Sequence, residues 1–179
     1  MLNSWPTVPP TLVSALQTFG SMSNATNPDL TAFKARGGKL VQYHGWADPL
    51  VPSLSAVNYY NSVVALEKQN QPDQQSALAE TQSYYRLFMA PGMGHCRGGP
   101  GLSLFGENGG AGPASSDMFS ALEAWVEHGA PPAQVIAHDT LNSFTRPLCP
   151  YPQNAVYVGT GSTSDAANFV CRGRVPQRR

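Results

Sequence analysis

The sequence predicts an α/β fold in which parallel strands form one end of a larger sheet. Three observations carry this. Helix and strand candidates alternate as helix, strand, helix, strand, helix, the order that gives parallel strands joined by right-handed crossovers. The 17 glycines and 16 prolines among 179 residues mark many loops and argue against a helical bundle. Only two full strands stand out, too few to cover both faces of a parallel sheet.

The elements follow in chain order. Residues 11–19 form a helix candidate that Gly20 would stop. Residues 28–38 read as a second short helix, with Asp29 at its start, Lys34 and Arg36 near its end and Gly37-Gly38 as the stop. Residues 39–46 are β-rich and glycine-bounded, a buried strand. Pro49 and Pro52 make the next stretch a loop. Ser53 would cap a helix to about Gln69, with Leu54, Val57, Tyr60, Val64 and Leu66 as its apolar positions. Residues 70–75 read as a polar connection.

The unit then recurs. Residues 84–90 form the second strand, followed by the loop Pro91-Gly92-Met93-Gly94-His95-Cys96 and a glycine-rich span. Residues 116–128 form an amphipathic helix, with Phe119, Leu122, Trp125 and Val126 on one face and Gly129 as its stop. Beyond it lie β-like pieces at 135–137 and 155–158 and a basic tail at 172–179.

Composition sets limits. One domain suits this length, and such a chain can bury about 70% of its unfolded surface. Eleven basic and eleven acidic residues give zero net charge. No nucleic-acid partner is therefore expected, because such a partner needs a basic footprint. No run approaches the ~18 apolar residues of a membrane span, so no membrane role is expected. The first residues lack the basic and apolar regions of a secretory signal. No His or Cys spacing makes a zinc site, and no phosphate-binding glycine motif follows a strand.

In open α/β sheets functional side chains lie just beyond the carboxyl ends of strands. Asp48 follows the first strand and His95 the second. This is the acid and base of a Ser-His-Asp triad in the chain order Ser, Asp, His. The base takes a proton from the nucleophile, and the carboxylate orients the imidazole and stabilises its charged form. Each also has an ordinary reading: a turn aspartate beside proline, and a structural histidine in a glycine-rich loop. His44 reads as a buried strand histidine, His128 as a cation at a helix C-terminus, and His138 as a surface residue. No G-x-S-x-G nucleophile elbow occurs. Residues 159–164 match it only in composition, and they follow the His instead of preceding it.

Several stretches together carry a resemblance: residues 29–40, the Tyr43-His44-Gly45-Trp46-Ala47-Asp48-Pro49 run, Tyr59-Tyr60, residues 88–96, residues 124–129 and Arg146-Pro147-Leu148-Cys149-Pro150-Tyr151-Pro152. Over residues 28–171 the chain resembles the tannase/feruloyl esterase family of α/β-hydrolases. The resemblance implies the C-terminal part of an α/β-hydrolase sheet, incomplete, whose last strands carry the triad Asp48 and His95. Residues 1–27 would be the end of a lid domain, 28–171 the hydrolase part and 172–179 a basic tail.

It further implies a Cys149–Cys171 disulfide and leaves Cys96 as the half-bridge whose partner, beside the nucleophilic Ser, lies upstream. Three free thiols in a reducing compartment are the alternative. The implied activity is hydrolysis of aromatic carboxylic esters, gallates or hydroxycinnamates. The chain would supply acid and base, lack the Ser and be inactive alone. No cofactor is implied in this chain, since the family's calcium site lies in the lid. Secretion is implied as well. The implied partners are a small aromatic ester and a Ser-bearing upstream segment or chain. The alternative is a non-enzymatic shortened product, or a complementing fragment, associating through an exposed sheet edge or Cys96.

Overall fold

The computed structural model describes residues 9–106, 113–141 and 143–173. The expected residues 1–8 of the lid segment, part of the glycine-rich span at 107–112 and most of the basic tail at 174–179 lie outside the described residues.

The organising unit is a parallel pair, β1 (Leu40–Gly45) and β2 (Tyr85–Ala90), in register from Leu40 opposite Tyr85 to Gly45 opposite Ala90. The crossover between them holds α3 (Ser53–Glu67) and α4 (Gln74–Gln82). Ahead of it lie α1 (Pro10–Ser23) and α2 (Thr31–Ala35). After it come β3 (Leu102–Leu104), α5 (Met118–His128), β4 (Val135–Asp139) and β5 (Thr145–Leu148), then β6 (Asn154–Tyr157) and β7 (Phe169–Arg172). Strands β3, β4 and β5 form one antiparallel sheet and β6 with β7 another. The α/β class holds, with antiparallel additions that periodicity did not predict.

β2 is buried on both faces because its side chains alternate between two cores. Tyr85, Leu87 and Met89 pack with Val57, Tyr60, Val63 and Val64 of α3 and Ala77 of α4. Phe88 and Ala90 pack on the other side with Met118 and Ala121 of α5, Val135 and Ala137 of β4, and Leu148 of β5. The outer edge of β2 is covered by the chain at Pro150-Tyr151, where the Tyr151 amide donates to the Leu87 carbonyl at 2.7 Å. Among the described residues β1 has one strand neighbour, β2.

Several expectations are corrected. α1 does not stop at Gly20 but runs to Ser23, because the Asn24 amide donates back to the Gly20 carbonyl. Its apolar Leu12, Leu16 and Phe19 are exposed. The second helix shortens to five residues, since Asp29 accepts from the Thr31 amide and Gly37 turns the chain at φ +75°. Ser53 is the first residue of α3 and not its cap; Pro52 precedes it with no capping side chain. Leu54 is exposed, and the buried stripe is Ala56, Val57, Tyr60, Val63 and Val64. On α5 the buried face is Met118, Ala121 and Trp125, while Phe119 and Val126 face solvent. The 70–75 connection gives way to α4 at Gln74, capped by Asp73 on the Ser76 amide. Arg172 pairs with Asn154 in β7 and so belongs to a strand, not to a free tail.

Cys149 and Cys171 are joined by a disulfide, with Cα atoms 5.5 Å apart. It fastens the β6–β7 hairpin to the end of β5. No helix of the described residues is long and apolar enough to cross a membrane.

Candidate active site

The loops leaving β1 and β2 are knitted together before any functional side chain is placed. The Trp46 amide donates to the Ala90 carbonyl and the Ala47 amide to the Met93 carbonyl, both at 3.0 Å. Met93 is 1% exposed and anchors the second loop in the core. Gly92, at φ +72°, turns that loop against Gly101, whose Cα would stand 2.7 Å from a Cβ there. The loop closes when Gly94 N–H donates to the Gly98 carbonyl at 2.9 Å.

Asp48 begins a tight turn. Its Oδ1 accepts from the amides of Leu50 at 2.8 Å and Val51 at 2.9 Å. Short polar side chains favour turns in this way, and Pro49 presets the backbone. Oδ2 is thereby aimed across to the second loop, 2.9 Å from His95 Nδ1. A carboxylate can only accept, so Nδ1 carries the hydrogen and donates it. Nε2 is then the ring nitrogen left to take up a proton. The Asp48 side chain is 4% exposed and that of His95 43%. Burial pushes the Asp48 carboxyl up. The Val51 and Leu50 amides and His95 together outweigh that and hold it at about 2, well below its ordinary 3.8. Asp48 is therefore ionised wherever His95 would act as a base.

The structure thus brings Asp48 and His95 together. It also adds a residue that the sequence reading set aside. His44 is not simply a buried strand residue. It is partly exposed, with Nε2 3.2 Å from the Val51 carbonyl and 3.5 Å from Asp48 Oδ2. Strand periodicity could not show this, because the contact depends on the turn at Asp48 folding back over the end of β1. His138 is partly buried in β4, and His128 ends α5. Residues 159–164 form the loop after β6, in which Ser162 Oγ accepts from the Ser164 amide; they build no strand-to-helix elbow. Cys96, next to His95, is a free exposed thiol at φ +64°.

A groove of about 660 Å³ borders the same two loops at Trp46, Pro91 and Gly92, with Met89, Phe144 and Arg146 among its other walls. Among the described residues no group of three or more His, Cys, Asp or Glu side chains could hold a metal ion.

Comparison with known proteins places the chain in a family. The family model for tannase and feruloyl esterase matches residues 7–172. An uncharacterized esterase of Xanthomonas campestris is 46% identical over 170 residues, covering 87% of this chain and 29% of that protein. The mono(2-hydroxyethyl) terephthalate hydrolase of Piscinibacter sakaiensis is 39% identical, covering 82% of this chain and 22% of that protein. The crystal structure of feruloyl esterase B from Aspergillus oryzae superposes with a TM-score of 0.76 at 29% identity, covering 94% of this chain and 34% of that one. The chain therefore spans under a third of the length of these two curated relatives. With nearly all of its own length matched in both sequence and fold, the chain belongs to the tannase and feruloyl esterase family.

Proposed function

We propose that this chain supplies the acid and base of a serine-type carboxylic ester hydrolase acting on aromatic esters. One observation carries the reading: the 2.9 Å contact between Asp48 and His95 at the carboxyl ends of two adjacent parallel strands. Of the relatives named above, one is a mono(2-hydroxyethyl) terephthalate hydrolase and one a feruloyl esterase, and both names denote an ester of an aromatic carboxylic acid. The nucleophile in this reading is a Ser from outside the 179 residues, on an upstream segment or a second chain. The edge of β1 that has no strand neighbour among the described residues is a place for it to pair, because an unpaired strand edge recruits another strand.

The chemistry follows from the geometry. Ionised Asp48 keeps the His95 proton on Nδ1. Nε2 takes the Ser proton as the hydroxyl attacks the ester carbonyl, then returns it to the leaving alcohol. Water repeats the two steps and frees the aromatic acid. The calcium site implied by the family resemblance belongs, in this reading, to the lid and not to these residues. The Cys149–Cys171 bridge supports an oxidising compartment, in keeping with secretion.

The test is hydrolysis of methyl ferulate and methyl gallate. The chain alone gives none; joined to a Ser-bearing family segment it gives turnover, which Asp48→Asn lowers by about 10⁴-fold. Hydrolysis by the chain alone, lost in His95→Ala, overturns the need for an outside Ser. Turnover by the joined form that survives His95→Ala overturns the assignment of the base.

A further inference from the structure

We propose that His44 is a positioning residue that holds the Asp48 carboxylate on target and through it sets the tautomer of His95. The inference rests on the reading of Asp48 and His95 as acid and base. The argument runs along a chain of contacts. The backbone of His44 is fixed in the sheet, in register with Met89 of β2. Its side chain is 13% exposed and lies over the turn that follows. A backbone carbonyl only accepts, so the 3.2 Å contact with Val51 O puts the His44 hydrogen on Nε2.

Val51 is then held at both ends. Its carbonyl is tied to His44 and its amide donates to Asp48 Oδ1. The turn bearing Asp48 is thus hung from a strand that cannot move without disturbing the sheet. The same Nε2–H dipole lies 3.5 Å from Oδ2. That is too long for a good hydrogen bond but close enough to favour negative charge at the oxygen His95 uses. Without His44, Oδ1 keeps its two amides, yet the turn itself can rock away from His95. The contacts of the His44 ring are with the Val51 carbonyl and Asp48 Oδ2, so its action runs through Asp48.

The experiment uses this 179-residue chain with ¹⁵N-labelled histidine. Imidazole ¹⁵N shifts report which ring nitrogen of neutral His95 carries the proton, and no Ser is needed. The wild-type ring is expected as Nδ1–H. His44→Leu should move the ratio toward Nε2–H about fivefold, the size of one ordinary hydrogen bond. His44→Gln, whose amide N–H reaches the Val51 carbonyl, should keep the ratio within about twofold. A purely packing role would not be rescued in this way. If His44→Leu does not fold, His44→Asn, polar but too short to reach Val51, carries the same expectation. An unchanged ratio in the variant that removes the Val51 contact overturns the proposal, provided Asp48→Asn shifts it. If Asp48→Asn leaves the ratio unchanged too, the acid–base pairing itself is what fails.

Discussion

Gly45 and Met93 meet main chain to main chain: a Cβ on Gly45 would press into the Met93 carbonyl group, 2.8 Å from its carbon and 2.6 Å from the Gly94 oxygen. The end of β1, just ahead of the Asp48 turn, and the start of the His95-bearing loop thus share a space that a methyl group would fill. Backbone on both sides leaves little room to yield.

Gly45→Ala should therefore destabilise the chain by about 1–3 kcal/mol, the usual range for overpacking. It should also push the two loops apart and lengthen the Asp48–His95 contact. Urea unfolding checks the first effect and the His95 ¹⁵N shifts the second. A variant of wild-type stability would mean that the loops are not in fact wedged together there.

Acid should reveal the Asp48 carboxylate as a stabilising charge. In the folded chain it is held at about 2, whereas the unfolded chain takes up its proton near the ordinary 3.8. Between those values the unfolded state binds the proton first. The carboxylate's contribution is fully present above about 3.8 and is lost as pH falls toward 2. Asp29, Asp73 and Asp139 are also held low, so the whole chain should weaken in acid. The share due to Asp48 is the gap between wild type and Asp48→Asn. Urea midpoints of the two should differ above about pH 4 and converge as pH falls below it toward 2. A gap that widens in acid would contradict the lowered carboxyl.

The parts of this architecture that local pattern reveals are those whose cause is local. β1 carries Leu40, Val41 and Tyr43 between Gly38 and Gly45, and β2 is an apolar run with Tyr85 and Phe88 that Pro91-Gly92 ends. α5 is stopped by Gly129 at φ +64° and capped by Asp117. β5 and β7 were invisible because their causes are distant. Pro147 sits inside β5 where its ring needs only a tolerant partner, and it faces Ile136 of β4. β7 pairs with β6 across a loop and is held by a disulfide. α4 has few apolar residues, and what buries Ala77 is α3 and β2, not its own periodicity. In the candidate site Asp48 and His95 were legible because strand ends advertise themselves. His44 was not, since a turn had to fold before its ring met anything.

The Cys149–Cys171 bridge should be worth about 3 kcal/mol, given the sequence separation of 22 between its ends. It restrains the β6–β7 hairpin and not the parallel pair. Reduction, or Cys149→Ala with Cys171→Ala, should lower overall stability by that order. It should also raise amide exchange in residues 154–157 and 169–172 more than in residues 40–45 and 85–90. Uniformly faster exchange in all four strands would show instead that the bridge supports the whole core.

Asp117 should prove to be both cap and wedge. It is 1% exposed, and its carboxylate accepts from the Ser120 amide at 2.8 Å at the start of α5. Removing such a cap costs about 1 kcal/mol, so Asp117→Ala should destabilise by that order. The other side of the same carboxylate lies against Gly106, at φ +81°, where a Cβ would meet Oδ2 and stand 2.8 Å from the Asp117 Cα. Gly106→Ala should be the more damaging change, because it adds a clash to an unfavourable backbone conformation. Combining the two removes the carboxylate that the new methyl strikes, so the double variant should lose less than the sum of the singles. Urea unfolding of the four proteins closes this cycle. Strict additivity would mean that backbone conformation alone, and not the carboxylate, keeps a side chain out of position 106.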